Sequence, residues 1–131
     1  MQQSNLQQDT EVFIVDDSPV IRERLRGMLG EIDGISVVGE AESSAEAITG
    51  ITRTCPDVVT LDIHLRNGSG LDVLRGLQSS MSGIVFIVLT NFPTSYYRKV
   101  YMEAGASHFL DKHAEFKKAV NIVIALRSTR H

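Results

Sequence analysis

Apolar residues along this chain fall into short runs of strand formers, separated by stretches in which apolar positions recur three and four residues apart. Val12-Phe13-Ile14-Val15, Ile35 to Gly39, Val58 to Leu61, Ile84 to Leu89 and Ser107 to Leu110 are the runs. Unbroken apolar runs of this length read as strands buried on both faces, with Ile84 to Leu89 the most hydrophobic and so expected at a central position. Between them the helical period takes over. Ser18 suits an N-cap and Pro19 the first helical position, where a missing N–H costs nothing, and Ile21, Leu25, Met28 and Leu29 give that helix its apolar face. A capping box Ser43-x-x-Glu46 opens a second helix that runs to about Arg53. Leu71, Leu74 and Leu77 mark a short third helix before the polar break at Ser79 to Gly83. Tyr97, Val100, Tyr101 and Ala104 mark a fourth, stopped by Gly105. The last helix spans Ala114 to about Arg127 and buries Phe116, Ala119, Val120, Val123 and Leu126.

Five strands alternating with five helices, each connection long enough for a crossover, predict an α/β fold with a parallel sheet covered on both faces. At 131 residues, 43% hydrophobic and 22% charged, the composition is that of one globular domain. The polar residues 1–10 read as a flexible N-terminal tail, 11–127 as the domain and 128–131 as a C-terminal tail. A net charge of -3, with 13 Lys and Arg scattered along the chain, leaves no basic footprint and sets the expectation of no direct contact with nucleic acid. The longest apolar run falls far short of the ~18 residues that span a membrane, so no membrane association is expected. A single cysteine, Cys55, expected to be buried or inert, and a polar N-terminus with no signal-peptide pattern point to the cytoplasm.

The chemistry lies where the strands stop. Asp16-Asp17, Asp62, Thr90 and Lys112 stand at or just beyond the carboxyl ends of four different strands, which a parallel sheet gathers on one edge. Singly, each has a plain reading: acids at a helix start, a turn residue, a strand end, a solvated lysine. Together they make a site. Three carboxylates in one place repel unless a cation is present, and an all-oxygen donor set without His/Cys spacing suits Mg²⁺ or Mn²⁺. Lys112 and the Thr90 hydroxyl can hold phosphoryl oxygens, and Asp62 can act as the nucleophile that becomes an aspartyl phosphate.

Asp16-Asp17, Asp62 with Gly70 eight positions on, Thr90, Phe109 and Lys112, in this order, resemble the receiver domain of two-component response regulators, over about Glu11 to Arg127. Val37-Val38-Gly39-Glu40-Ala41 is similar to receivers that precede a helix-turn-helix DNA-binding domain. The resemblance implies a flavodoxin-like, doubly wound (βα)5 fold with strand order 2-1-3-4-5. It also implies that Asp17 binds Mg²⁺ directly, Asp16 partly through water and His64 through its backbone carbonyl. Asp62 would accept phosphate from a histidine kinase or phosphotransfer protein. Thr90 and Phe109 would be the switch pair, and the fourth helix, fifth strand and fifth helix the output surface. With only Arg127 to His131 after the last helix, the expectation is a stand-alone receiver that binds a target protein. Its catalysis would be limited to its own phosphotransfer and dephosphorylation. Ile122, Ile124 and Ala125 broaden the apolar stripe of the last helix and suggest a homodimer or docking face there.

Four positions depart from the family's pattern. Arg66 stands where proline is usual, which predicts a more mobile loop after Asp62, and His113 replaces the proline that usually follows the lysine, removing the residue that favours a cis bond there. Asn91 and Phe92 are larger than the usual residues after the threonine, and the bulk of His64 and Phe92 predicts slow attack by water on the aspartyl phosphate. The rival enzyme reading, a haloacid-dehalogenase-type phosphatase, wants a second acid two residues after the nucleophile, where this chain has His64. A flavodoxin-like cofactor binder is weaker still, because Asp16-Asp17-Ser18-Pro19 puts carboxylates where a phosphate needs amides. A receiver that binds partners without phosphorylation is the third alternative.

Overall fold

A computed structural model describes residues 9–77 and 83–128. Most of the expected N-terminal tail, the residues after Ser128 and the greater part of the polar break near Ser80 lie outside them. The chain runs β1 (Thr10–Val15), α1 (Pro19–Gly30), β2 (Ile35–Ala41), α2 (Ser44–Thr54), β3 (Val58–Leu61), α3 (Gly70–Leu77), β4 (Val85–Thr90), α4 (Ser95–Glu103), β5 (His108–Asp111) and α5 (Phe116–Ser128). The strands form one sheet in the order β2-β1-β3-β4-β5, every neighbouring pair parallel. This is the expected flavodoxin-like arrangement. β3, not the more hydrophobic β4, is the middle strand; β4 is interior, paired with β3 and β5.

Alternation along each strand splits the core in two, because successive strand residues point to opposite faces. Phe13, Val15, Val59, Leu61, Phe86 and Val88 face α2, α3 and α4, where Ile51, Leu74 and Tyr101 meet them. Val12, Ile14, Val58, Ile87 and Leu89 face α1 and α5, packing with Leu25, Leu29, Val120 and Val123. The Phe13 ring lies where a β-carbon on either Gly39 or Gly50 would collide with it, so two bare backbones form its slot. Beside it the β1–β2 register skips one residue, with Val12 opposite Val37 and Phe13 opposite Gly39.

Local signals act largely as read. Ser18 caps α1 by accepting from the Ile21 N–H, with Pro19 in the first turn. In α2 the Ser43 hydroxyl accepts from the Glu46 N–H, but the Glu46 carboxylate reaches past the cap residue to the Glu42 N–H. Two expectations need correction. Cys55 is exposed, because it ends α2 in the left-handed conformation (φ 48°), which turns it outward. On α5, Ile122 and Ile124 pack against the core beneath α1 and the sheet, leaving Ala125 exposed. Part of the broad stripe is therefore spent on the chain's own interior, with Ile122 and Ile124 half-buried rather than fully offered to a partner.

Candidate functional site

Register brings the strand-end residues together. Val15 lies opposite Leu61, and the Asp62 N–H donates to the Val15 carbonyl at 3.0 Å, so Asp16 and Asp62 leave adjacent strands side by side. Leu61 lies opposite Val88 and Thr90 opposite Asp111, and the Lys112 N–H donates to the Thr90 carbonyl at 2.8 Å. Lys112 thereby enters from the far side. Its ammonium lies 2.8 Å from Asp16 Oδ2 and 3.1 Å from Asp62 Oδ2, with all three side chains buried. Asp16 Oδ1 accepts from the Ser18 N–H and Asp62 Oδ1 from the Ile63 N–H.

Asp16, Asp17 and Asp62 each offer a carboxylate oxygen, and these oxygens lie within 4.8 Å of one another. Asp16 and Asp62 are buried while Asp17 is exposed, so the cluster has a dry floor and an open side. One lysine cannot neutralise three acids. Burial, and then the Asp16 charge, push the Asp62 carboxyl up to about 6 against the pull of Lys112. Burial works to lower the Lys112 ammonium, but Asp16 and Asp62 outweigh it and hold its pKa above the usual lysine value. An excess of negative charge on oxygen ligands, with one side facing solvent, fits a hard divalent cation that keeps some of its water.

An open cavity of about 540 Å³ lies above this floor, with Asp17, Asp62, His64, Phe92 and Lys112 in its lining. His64 and Phe92 form its rim: their rings meet edge to face at 4.8 Å, and His64 also stands 6.2 Å from the Tyr97 ring. Thr90 is not part of the lining. It is fully buried, and its hydroxyl accepts from the Phe92 N–H at 2.8 Å. Phe109 is buried in the core cluster on the α4 side, 6.3 Å from Tyr101. Sequence reasoning missed Val20, Asn91 and His113 as lining residues; their signal was their place within five residues of a strand end. It also missed Arg22, whose guanidinium donates to the Asp16 carbonyl at 2.7 Å while pairing with Glu40.

The loop after Asp62 is tied down rather than loosened by its missing proline. The Arg66 N–H, which a proline would lack, donates to the Glu42 carbonyl at 2.9 Å, and its guanidinium pairs with the Glu42 carboxylate. The Ser44 N–H and hydroxyl both donate to the Asn67 carbonyl. Gly70 closes the loop, and here only a glycine fits: a β-carbon would stand 2.5 Å from the Asp62 carbonyl oxygen.

The model of the response regulator receiver domain matches residues 12–124. The chain belongs to the response regulator receiver family. Among curated proteins, it is 38% identical over 120 residues to the DNA-binding transcriptional activator DevR/DosR of Mycobacterium tuberculosis, covering 89% of this chain and 55% of that protein. A protein-glutamate methylesterase/protein-glutamine glutaminase of Hahella chejuensis is 34% identical over 121 residues, covering 87% of this chain and 34% of its own. Among solved structures, the receiver domain of the putative response regulator NarL from Mycobacterium tuberculosis superposes with a TM-score of 0.84 at 25% identity, covering 94% of this chain and 99% of that one.

The receiver spans about half the length of the first curated relatives it matches. This overturns the expectation of no direct nucleic-acid contact. A relative named for DNA binding carries a receiver this similar, so the acidic balance of these 131 residues does not decide what the whole protein touches. The same coverage leaves the stand-alone reading without support. Among the described residues no helix is long and apolar enough to cross a membrane.

Proposed function

We propose that the receiver is a phosphorylation switch in which Asp62 takes a phosphoryl group from a phosphohistidine donor in the presence of Mg²⁺ or Mn²⁺. The supporting observation is the pairing of Lys112 with both Asp16 and Asp62 at the floor of an acidic cluster that opens into a cavity. Asp16, Asp17 and Asp62 would hold the cation, with the His64 backbone carbonyl as a further protein ligand. When bound, the cation withdraws charge from the phosphoryl oxygens and from the acids around them. An Asp62 carboxylate oxygen attacks phosphorus as the bond to the donor imidazole nitrogen breaks, and the nitrogen keeps the electron pair. Lys112, already within hydrogen-bonding reach of Asp62 Oδ2, stabilises the negative charge of the product.

Thr90 reports the event. Its hydroxyl oxygen accepts from the Phe92 amide, which leaves its proton free to be donated to a phosphoryl oxygen once the hydroxyl swings toward Asp62. Phe109 then repacks behind it, and α4, β5 and α5 form the switched face. His64 and Phe92, edge to face at the rim, set how readily water reaches the aspartyl phosphate. The chain's own chemistry ends with gaining and losing that group, and the working unit is residues 11–127. By analogy with the DNA-binding relative, the switched face controls a nucleic-acid-binding output.

Incubation with acetyl phosphate and Mg²⁺ tests the reading by intact mass. One added phosphoryl group, lost in Asp62→Asn, is expected. A folded, metal-binding protein that takes up no phosphoryl group would overturn it.

A further inference from the structure

We infer that Tyr101 is a positioning residue that latches α4 to the start of α3, directly behind the Asp62 loop, and passes the state of that loop on to Phe109. The inference rests on the switch reading above and adds a route to it. Tyr101 is 2% exposed, so its phenol has no water to turn to. Its hydroxyl accepts from the Leu71 N–H at 3.0 Å. That amide belongs to the first turn of α3, whose N–H groups have no partner within the helix. Capping by a side chain from another helix joins two elements that a local cap would leave independent.

The ring presses on the same spot. A β-carbon on Gly70 would stand 3.2 Å from Tyr101 Cε2 on one side and 2.5 Å from the Asp62 carbonyl on the other. Gly70 is thus a spacer one residue thick between the phosphoacceptor's backbone and the tyrosine ring. Burial pushes the Tyr101 phenol up to about 12, although hydrogen bonds from the Leu71 amide and the Ser69 side chain act the other way. The hydroxyl therefore stays protonated, with a proton of its own to donate.

Ring contacts lead away from the latch in two directions. Tyr101 and Phe109 lie 6.3 Å apart; Tyr101 and Tyr97 lie 6.4 Å apart, and Tyr97 reaches the rim at His64, 6.2 Å away. In this packed row of rings, a shift of the Asp62 loop reaches Phe109 through Gly70 and Tyr101 as well as through Thr90. A second strap crosses from α4 to β5, where Arg98 donates to the Phe109 carbonyl at 3.2 Å.

Wild type and Tyr101→Phe, which keeps the ring and loses the hydroxyl, separate the latch from mere packing. Each is phosphorylated with acetyl phosphate and Mg²⁺, its loading measured by intact mass, and its amide shifts compared before and after addition of Mg²⁺ and beryllofluoride. The expected result is normal loading with the response at Phe109 and along α4 reduced to less than about half that of wild type. The Leu71 amide should also exchange faster. Ser69→Ala, which removes the hydroxyl that caps the Asp72 amide in the same first turn of α3, should loosen the turn that Tyr101 holds and give a weaker form of the same loss even if Tyr101→Phe folds poorly. Equal loading with an unchanged response at Phe109 in both variants overturns the latch and leaves the switch standing. No loading of wild type overturns both.

Discussion

The two sides of the phosphoacceptor cavity are built on different terms. On one side Asp16, Asp62 and Lys112 are buried, and every oxygen and the ammonium have a partner within 3.1 Å. On the other, Phe92 is 49% and Val20 71% exposed, and the Phe92 side chain meets the His64 ring edge to face. The buried side is over-determined, so a change there should abolish chemistry or unfold the site. The open side can vary at little structural cost, so a change there should alter rates.

The largest effect is expected from Lys112→Ala, which strands two carboxylates in the floor. Phosphorylation should fail, and unfolding at neutral pH without divalent cation should become easier by about 3 kcal/mol. Urea titration should show much of that loss recovered near pH 4, where the acids can protonate. If stability is unchanged at neutral pH, the floor is not over-determined.

Next comes the pH dependence of the metal-free protein. The folded Asp62 carboxyl titrates at about 6, above its ordinary 3.8. Between those values the folded state binds the extra proton, so this group's contribution to stability falls as pH rises through the interval and is constant above it. The fall should be on the order of 3 kcal/mol, should disappear in Asp62→Asn, and should shrink when Mg²⁺ is added. A melting curve series from pH 4 to 7 that is equally steep in wild type and Asp62→Asn contradicts it.

On the open side, His64→Ala or Phe92→Ala should leave folding within about 0.5 kcal/mol of wild type, as for exposed substitutions elsewhere. Either should shorten the half-life of the aspartyl phosphate, followed by the decay of the mass adduct. Destabilisation as large as that of Lys112→Ala would erase the distinction between the two sides. Smallest of all, Thr60→Val removes a buried hydroxyl that has no hydrogen-bond partner on β3 and should be neutral or stabilising by up to about 1 kcal/mol in the same titration.

The buried side was also the more legible. Its residues end strands, and strands show themselves as apolar runs, so Asp16, Asp62, Thr90 and Lys112 could be placed on one edge before any coordinates. The pairing of Lys112 with both acids followed from register. The open side depends on loop paths and ring orientation, for which residue type carries no code; Asn91 and His113 passed as family departures rather than lining residues. Tyr101 was legible as core, but its hydrogen bond to Leu71 spans 30 residues of sequence and leaves no periodic trace. Cys55 was misjudged because burial tendencies say nothing about a left-handed helix end, and α5 because its stripe could not reveal that Ile122 and Ile124 pack in part against the core of α1 and the sheet.

The slot that Gly39 and Gly50 leave for Phe13 makes a statement about history. Those three positions behave as a single character: a side chain gained at either glycine must be matched by a smaller residue at 13, or the edge strand loses its skipped register. Among receivers of this lineage they should therefore change together or not at all, even though the two glycines and the phenylalanine lie on three different elements.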